Sequence, residues 1–407
     1  MQRQTSALDG IKVIDLTQHG AAPMTASLLA QWGAEVIHIE PPLTGDAARG
    51  FQQGGVAAFR EHRVNYVWEL TNYNKKSLTA DLAQREGREI IYKLVAKADI
   101  FLSNLRPRQV KKFEMRYETL QKLNPRIIYA NLTGYGPNGP DADTPAYDIS
   151  AYFARSGITH MLSESGRAPI WTRPALGDFP AGMVCAFGIM VALFARERLG
   201  IGQEVYASLF HSGAWSLMFD IQGTLLTNQD PPIQNREFTP NPLFNSYRTK
   251  DGRWIHIAML HPNAYWQAFC QAIDQESLEN DPRFDSIQNR AENSLALIGI
   301  LDEIFAKKTV GEWMERLTEF GVIFSLVQKP SELIHDPQAR ANDFFMSVDH
   351  PTYGPIELVS SPVKLSKTPG AFIAPAPELG QNTEEILLEL GYTWEDIGEL
   401  KDKKVIV

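Results

Sequence analysis

Between residues 11 and 132 the chain switches repeatedly between short apolar, β-branched runs and segments of helical period. A strand buried on both faces of a parallel sheet reads as such a run, and every parallel crossover needs a helix. The alternation therefore predicts an α/β fold built on a parallel sheet. The predicted strands are 11–17 (IKVIDLT), 35–40 (EVIHIE), 100–104 and 127–132, and the predicted helices are 24–32, 85–98 and 110–123. Residues 133–178, dense in Gly, Pro, Asp and Thr, predict loops with one helix near 149–154. A charge-free run, 179–195, then predicts a long helix stopped at Gly200 and Gly202, followed by a strand at 204–210 and a helix at 212–226.

At 407 residues the chain exceeds what one hydrophobic core usually serves. A shift in composition at 227–242 (TNQDPPIQNREFTPNP) reads as a linker. Beyond it, strands at 254–260 and 322–327 and helices at 264–273, 292–306 and 310–320 predict a smaller α/β domain. The tail carries a helix at 337–345, strand-like pieces to Lys364, a Pro-rich run and a helix from Thr383. The expected organisation is a large domain over 1–226, a linker and small domain over 227–330, and a C-terminal segment, 331–407.

Charge and cysteine content exclude several classes. A net charge of −9 argues against nucleic acid or an anionic membrane as partner, so an anionic ligand needs a local basic patch. Cys185 and Cys270 sit among apolar neighbours and read as buried thiols, with no disulfide framework or zinc site. The N-terminal MQRQTSALDG has no apolar stretch of a secretory signal, so the cytoplasm is expected. The apolar run 179–195 falls short of a bilayer span, is bracketed by Asp178 and Arg196, and reads as a helix buried in a protein core.

Some residues invite chemistry. The first strand ends in Gln18, His19 and Gly20, with Glu40 about twenty residues on, but Gly20 stands alone where a dinucleotide turn needs three glycines. What remains is a small-residue loop at the carboxyl end of a strand, where open α/β sheets bind ligands. Arg106, Arg108, Lys111, Lys112 and Arg116, with Lys75 and Lys76, form a basic cluster that suits either a phosphorylated ligand or a solvated helix face. Asp178, in ALGDFPAG, directly precedes the apolar helix. It reads as an N-cap, or as a carboxylate that stays ionised at a helix N-terminus and faces a cleft as nucleophile. The histidines show no metal-binding spacing, and His211, Ser212 and Asp220 lack the G-x-S-x-G elbow of a serine hydrolase.

A series of fragments in fixed order resembles one family. They are 8–16 (LDGIKVIDL), 33–40 (GAEVIHIE), 45–50 (GDAARG), 72–77 (NYNKKS), 104–107 (NLRP), 124–126 (NPR), 133–136 (TGYG), 175–178 (ALGD), 200–203 (GIGQ) and 379–383 (LGQNT). Nearly end to end, the chain is similar to the class III CoA-transferases. The resemblance implies a Rossmann-like large domain completed by the C-terminal segment, in an interlocked homodimer of two ring-like chains. It implies that Asp178 attacks an acyl-CoA thioester to form a mixed anhydride, then an aspartyl-CoA thioester that the acceptor acid resolves. Coenzyme A is then a co-substrate, and no metal or redox cofactor is required. Family positions that touch CoA carry over to His19, Gly20, Ala21, Asn104, Leu105, Lys112 and Tyr135. By charge, Arg49, Lys75 and Arg108 are expected at its phosphates.

Where formyl-CoA transferase carries a glutamine near the reacting carbonyl, this chain has Gly20, so oxalate and formyl-CoA are not the expected substrates. Residues 153–157 (FARSG) and 241–248 (NPLFNSYR) resemble the transferases that activate 2-hydroxy acids. Two alternatives share the likeness. One is an α-methylacyl-CoA racemase, whose histidine would fall where Tyr147 stands and whose two-base chemistry a tyrosine does not supply. The other is a non-catalytic acyl-CoA-binding protein.

Overall fold

The computed structural model describes residues 6–50, 64–233 and 235–407. Residues 1–5 of the N-terminal stretch considered above lie outside them. The chain divides into two compact units, one of 1–160, 171–231 and 343–407, the other of 161–170 and 232–342. The short stretch 161–170, read above as loop within the large domain, belongs with the second unit, which extends to Asn342.

The larger unit contains six parallel strands, β1 (Lys12–Leu16), β2 (Glu35–Glu40), β3 (Lys75–Thr79), β4 (Ile100–Ser103), β5 (Ile128–Thr133) and β6 (Gln203–Ser208), in the order β3-β2-β1-β4-β5-β6. Its helices are α1 (Ala21–Gln31), α2 (Tyr66–Asn72), α3 (Arg85–Val95), α4 (Pro107–Lys112), α5 (Tyr117–Leu123), the first residues of α6 (Ile158–Leu162), α7 (Asp178–Leu199), α8 (Leu209–Ser216) and α9 (Met218–Thr227). Successive strand residues point to opposite faces, which sorts the core into two layers. Val13, Val36, Ile100, Leu102, Ile128 and Ala130 pack under α1 and α7. Ile14, Ile37, Leu78, Phe101 and Tyr129 pack against α3, α5 and the C-terminal helices Thr383–Glu389 and Trp394–Asp402. The C-terminal segment thus covers part of one sheet face, and its Val405 and Ile406 are wholly inside. The strand order reverses at β1, so β1 and β4 diverge in their connections and leave a crevice beyond their carboxyl ends.

Several elements differ from the expectations. β3 (KKSLT) and α2 are additional, because two lysines at the start of a strand read as surface. The single helix expected at 110–123 is two, α4 and α5, separated by a turn at Glu114 with φ +60. The helix expected at 337–345 stops at Ala341 and gives way to an antiparallel hairpin, β10 (Phe345–His350) and β11 (Gly354–Val359), placed after the three strands of the second unit.

α7 also departs from a helix buried all round. By length and composition alone it could cross a membrane. One stripe, Ala181, Cys185, Ile189, Ala192 and Leu193, is buried against α1 and the sheet, whereas Phe187 is 71% and Phe194 63% exposed. Within the larger unit, α1, α8, β5 and β6 are the elements that pack on it. The second unit is an antiparallel sheet of β7 (Phe244–Arg248), β8 (Trp254–Ala258) and β9 (Phe324–Leu326), with Tyr247, Phe269, Phe305 and Trp313 buried at its centre.

Candidate active site

Loops at the carboxyl ends of β1 to β5 enclose a cleft of about 500 Å³, a volume within the range of small-molecule sites. Its lining includes Thr17 to Ala21 after β1, Pro41 after β2, Asp81 to Ala83 after β3, Asn104 to Arg106 after β4, and Thr133 with Gly134 after β5. Lys112, Tyr147 and Asp178 complete it from α4, the 133–148 loop and α7.

Asp178 is the first residue of α7 itself, with Gly177 at the N-cap position and no side chain capping the helix. The N-cap expectation is therefore corrected. The turn before it is held by Asp148, whose Oδ2 accepts the Gly177 N–H at 3.0 Å and whose Oδ1 accepts its neighbour Ile149 N–H at 2.8 Å. Tyr152 packs so closely on Gly177 that a Cβ there would meet its ring at 2.6 Å. Together these contacts aim the Asp178 carboxyl back at the loop after β1. There a Cβ on Gly20 would overlap Asp178 Oδ2. Glycine at position 20 answers to space alone, because its backbone (φ −111, ψ −69) is open to any residue.

The surroundings of Asp178 oppose the ionisation expected of it. Burial pushes its carboxyl up to about 7, and the charge of Asp148 adds to the rise. Desolvation under the 18–21 loop outweighs the favourable end of the helix dipole, because the half-buried carboxylate is partly desolvated and caps no amide of its own helix. Asp148, buried at 2% exposure, is itself raised by burial.

Of the residues expected at CoA, His19, Gly20, Ala21, Asn104, Leu105 and Lys112 line the cleft. Asn104 clamps the loop after β1, accepting the Gln18 N–H at 3.2 Å and donating to the Gln18 carbonyl at 2.8 Å. Tyr135 lies outside the lining and packs edge-on to Phe210, under the Arg155 guanidinium. Arg108 is exposed and outside the lining, and its amide donates to Asp143 at 2.7 Å.

Two charge-based expectations are overturned. Lys75 is buried inside the sheet, where its Nζ donates to Asp15 at 2.8 Å and to the Pro23 carbonyl and Asn72 at 2.9 Å each. All three ammonium protons are used, so none remains for a phosphate. Arg49 grips Glu40 through Nε and Nη2, both at 2.7 Å, and lies over the Trp68 ring. In each case a buried carboxylate on β1 or β2 claims the cation. Replacing Lys75 with methionine should cost about 3–5 kcal/mol, because Asp15 is left buried and short of its partner. A urea-unfolding midpoint equal to wild type would show that the pair carries no such weight.

Asp15 and His38 went unread in the sequence, and Glu40 was weighed only as a dinucleotide acid, although the signal was present. Asp15, His38 and Glu40 sit within runs otherwise apolar enough for strands buried on both faces, and polar groups there need partners.

A family model described as CoA-transferase family III matches residues 8–383. The chain belongs to CoA-transferase family III. It is 36% identical to the (R)-2-hydroxy-4-methylpentanoate CoA-transferase of Clostridioides difficile, covering 98% of this chain and 99% of that one. It is 34% identical to the cinnamoyl-CoA:phenyllactate CoA-transferase of Clostridium sporogenes, covering 100% and 99%. Among solved structures, a CAIB/BAIF family protein from Brucella suis matches with a TM-score of 0.82 at 27% identity, over 95% of this chain and 100% of that one. The six-stranded parallel sheet is thus the sheet of a family III chain, and the full-length relatives are CoA-transferases of 2-hydroxy and other acids, formyl-CoA:oxalate CoA-transferase of Bradyrhizobium among them.

Proposed function

We propose that the chain moves CoA from an acyl-CoA donor to a carboxylic acid acceptor, through Asp178, and that the acceptor is a 2-hydroxy acid. The observation that carries this reading is the placement of Asp178: a half-buried carboxylate on the wall of a cleft at the switch point of the sheet. Desolvation raises the basicity of a carboxylate and removes the water that would hydrolyse an activated intermediate.

In this reading a carboxylate oxygen of Asp178 attacks the donor thioester carbon, and the carbon–sulfur bond breaks to release CoA thiolate. The thiolate attacks the aspartyl carbonyl of the mixed anhydride, freeing the donor acid and leaving aspartyl-CoA. The acceptor carboxylate attacks that thioester, again releasing thiolate. Attack of the thiolate on the new acyl carbonyl yields the product acyl-CoA and restores Asp178. A thiolate leaving group and a covalent relay need no metal or redox cofactor. His19, Gly20, Ala21, Asn104 and Leu105 contact the CoA in the cleft, and the exposed Lys112 meets its phosphates. A homodimer in the cytoplasm completes the proposal. The uncovered apolar residues of α7 and of α9, where Phe219 is 85% exposed, support a second copy as their partner.

The test is mass spectrometry after mixing the protein with 2-hydroxy-4-methylpentanoyl-CoA and hydroxylamine. An aspartyl hydroxamate is expected at Asp178, and modification at another carboxyl group would retire the mechanism. Because only the ionised carboxylate attacks, kcat should rise with pH through about 7 and level off above it. A flat profile from pH 5 to 9 with chemistry rate-limiting would contradict that step.

A further inference from the structure

Beneath the loop that presents Gly20 lies a group of charged side chains outside the transfer chemistry. Asp15, His38, Glu40, Asp46 and Lys75 are all at most 4% exposed. His38 Nδ1 lies 2.9 Å from Asp15, which also holds Lys75. Burial opposes a charged imidazole, yet Asp15 and Asp46 outweigh it and hold the His38 pKa up at about 9. On its other side His38 Nε2 faces Asp46 Oδ2 at 3.5 Å. Glu40 accepts the Asp46 amide at 2.9 Å, so the backbone and the side chain of Asp46 are both anchored.

The network ends on the loop. Asp46 Oδ1 accepts the His19 N–H at 3.0 Å and the Ala48 N–H at 2.8 Å. His19 sits at φ +74, a conformation costing about 1–3 kcal/mol for a residue with a side chain, and one that persists only where its surroundings hold it. Asn104 holds the preceding residue, the Gly20 carbonyl accepts from Met24, and the His19 amide between them donates to Asp46. One residue further on, Gly20 is the surface against which the Asp178 carboxyl lies.

We propose that Asp46 is a positioning residue for the nucleophile: by holding the His19 amide it keeps Gly20 against Asp178 and sets the direction from which the carboxylate meets its thioester. The proposal rests on the reading of Asp178 as nucleophile.

Two variants separate position from charge. Asp46→Asn keeps an acceptor oxygen in place for the His19 amide, while its amide group faces a His38 that can turn neutral. Asp46→Glu keeps the charge opposite His38 but displaces the acceptor by a methylene. CoA exchange between 2-hydroxy-4-methylpentanoyl-CoA and phenyllactate is measured for both, with 13C titration of the Asp178 carboxyl. Asp46→Glu should lose about 100-fold in kcat with little change in KM, and Asp46→Asn should stay within about threefold of wild type.

The Asp178 titration midpoint should move in the Glu variant and hold in the Asn variant. The reverse ranking, equal losses in both, or no loss in either would overturn the proposal. If the wild-type protein moves no CoA, the titration still decides: a midpoint displaced by Asp46→Glu alone upholds the positioning while the transferase reading falls, and any other pattern overturns the positioning as well.

Discussion

Asp178→Asn should be inactive and, at pH 8, more stable than the wild-type protein. Asparagine cannot form the mixed anhydride, so transfer should fall at least about 10⁴-fold. The gain in stability follows from the same burial. Asp178 holds its proton up to about 7 in the folded chain, against an ordinary value of 3.8. Its folded state therefore binds the proton more tightly than the unfolded state does. The stability this provides is fully present below the unfolded value and is lost as pH rises through about 7. Asparagine carries no charge at any pH and escapes that loss. The variant should exceed wild type at pH 8 by on the order of 2–4 kcal/mol, and the difference should close by pH 4. Urea-unfolding midpoints at the two pH values measure it. Equal midpoints at pH 8 would mean that the carboxylate is better solvated than its surroundings indicate.

Gly20→Ala should separate folding from turnover. Alanine adopts φ −111, ψ −69 without strain, so the melting temperature should stay close to wild type. Its methyl group, however, claims the space occupied by Asp178 Oδ2, and the carboxyl must swing away. A displacement of about 1 Å at a reacting atom costs on the order of 100-fold in rate, which is the expected loss in kcat. Acyl-CoA binding away from the carboxyl group should persist. Turnover at the wild-type rate would show that the contact between Gly20 and Asp178 is dispensable.

The two substitutions explain why local sequence was a good guide to the scaffold and a partial one to the site. β1, β2, β4 and β5 are runs rich in branched and apolar side chains, and their burial follows from composition within a few residues, whereas β6 (QEVYAS) reads as a strand by alternation. β3 carries its apolar content only at Leu78 and opens with two lysines, one of which is inside because Asp15 lies across the sheet from it. That partner is sixty positions away, and no local window contains both. Arg49 and Glu40 repeat the pattern over a shorter span. The cluster on α4 and α5 reads as basic whether it faces solvent or ligand, and only Arg106 and Lys112 of it line the cleft.

What the sequence determined by itself is the alternation that demands a parallel sheet, the small-residue loop after its first strand, and an aspartate at the head of an apolar helix. These are local properties, set by side-chain period and backbone freedom. Tertiary structure decided the rest: which cations are neutralised indoors, which face of α7 is left uncovered, and how far burial raises the Asp178 carboxyl. Each depends on the solvent and charges around a residue, and those are supplied by segments remote in the chain that meet only when it folds.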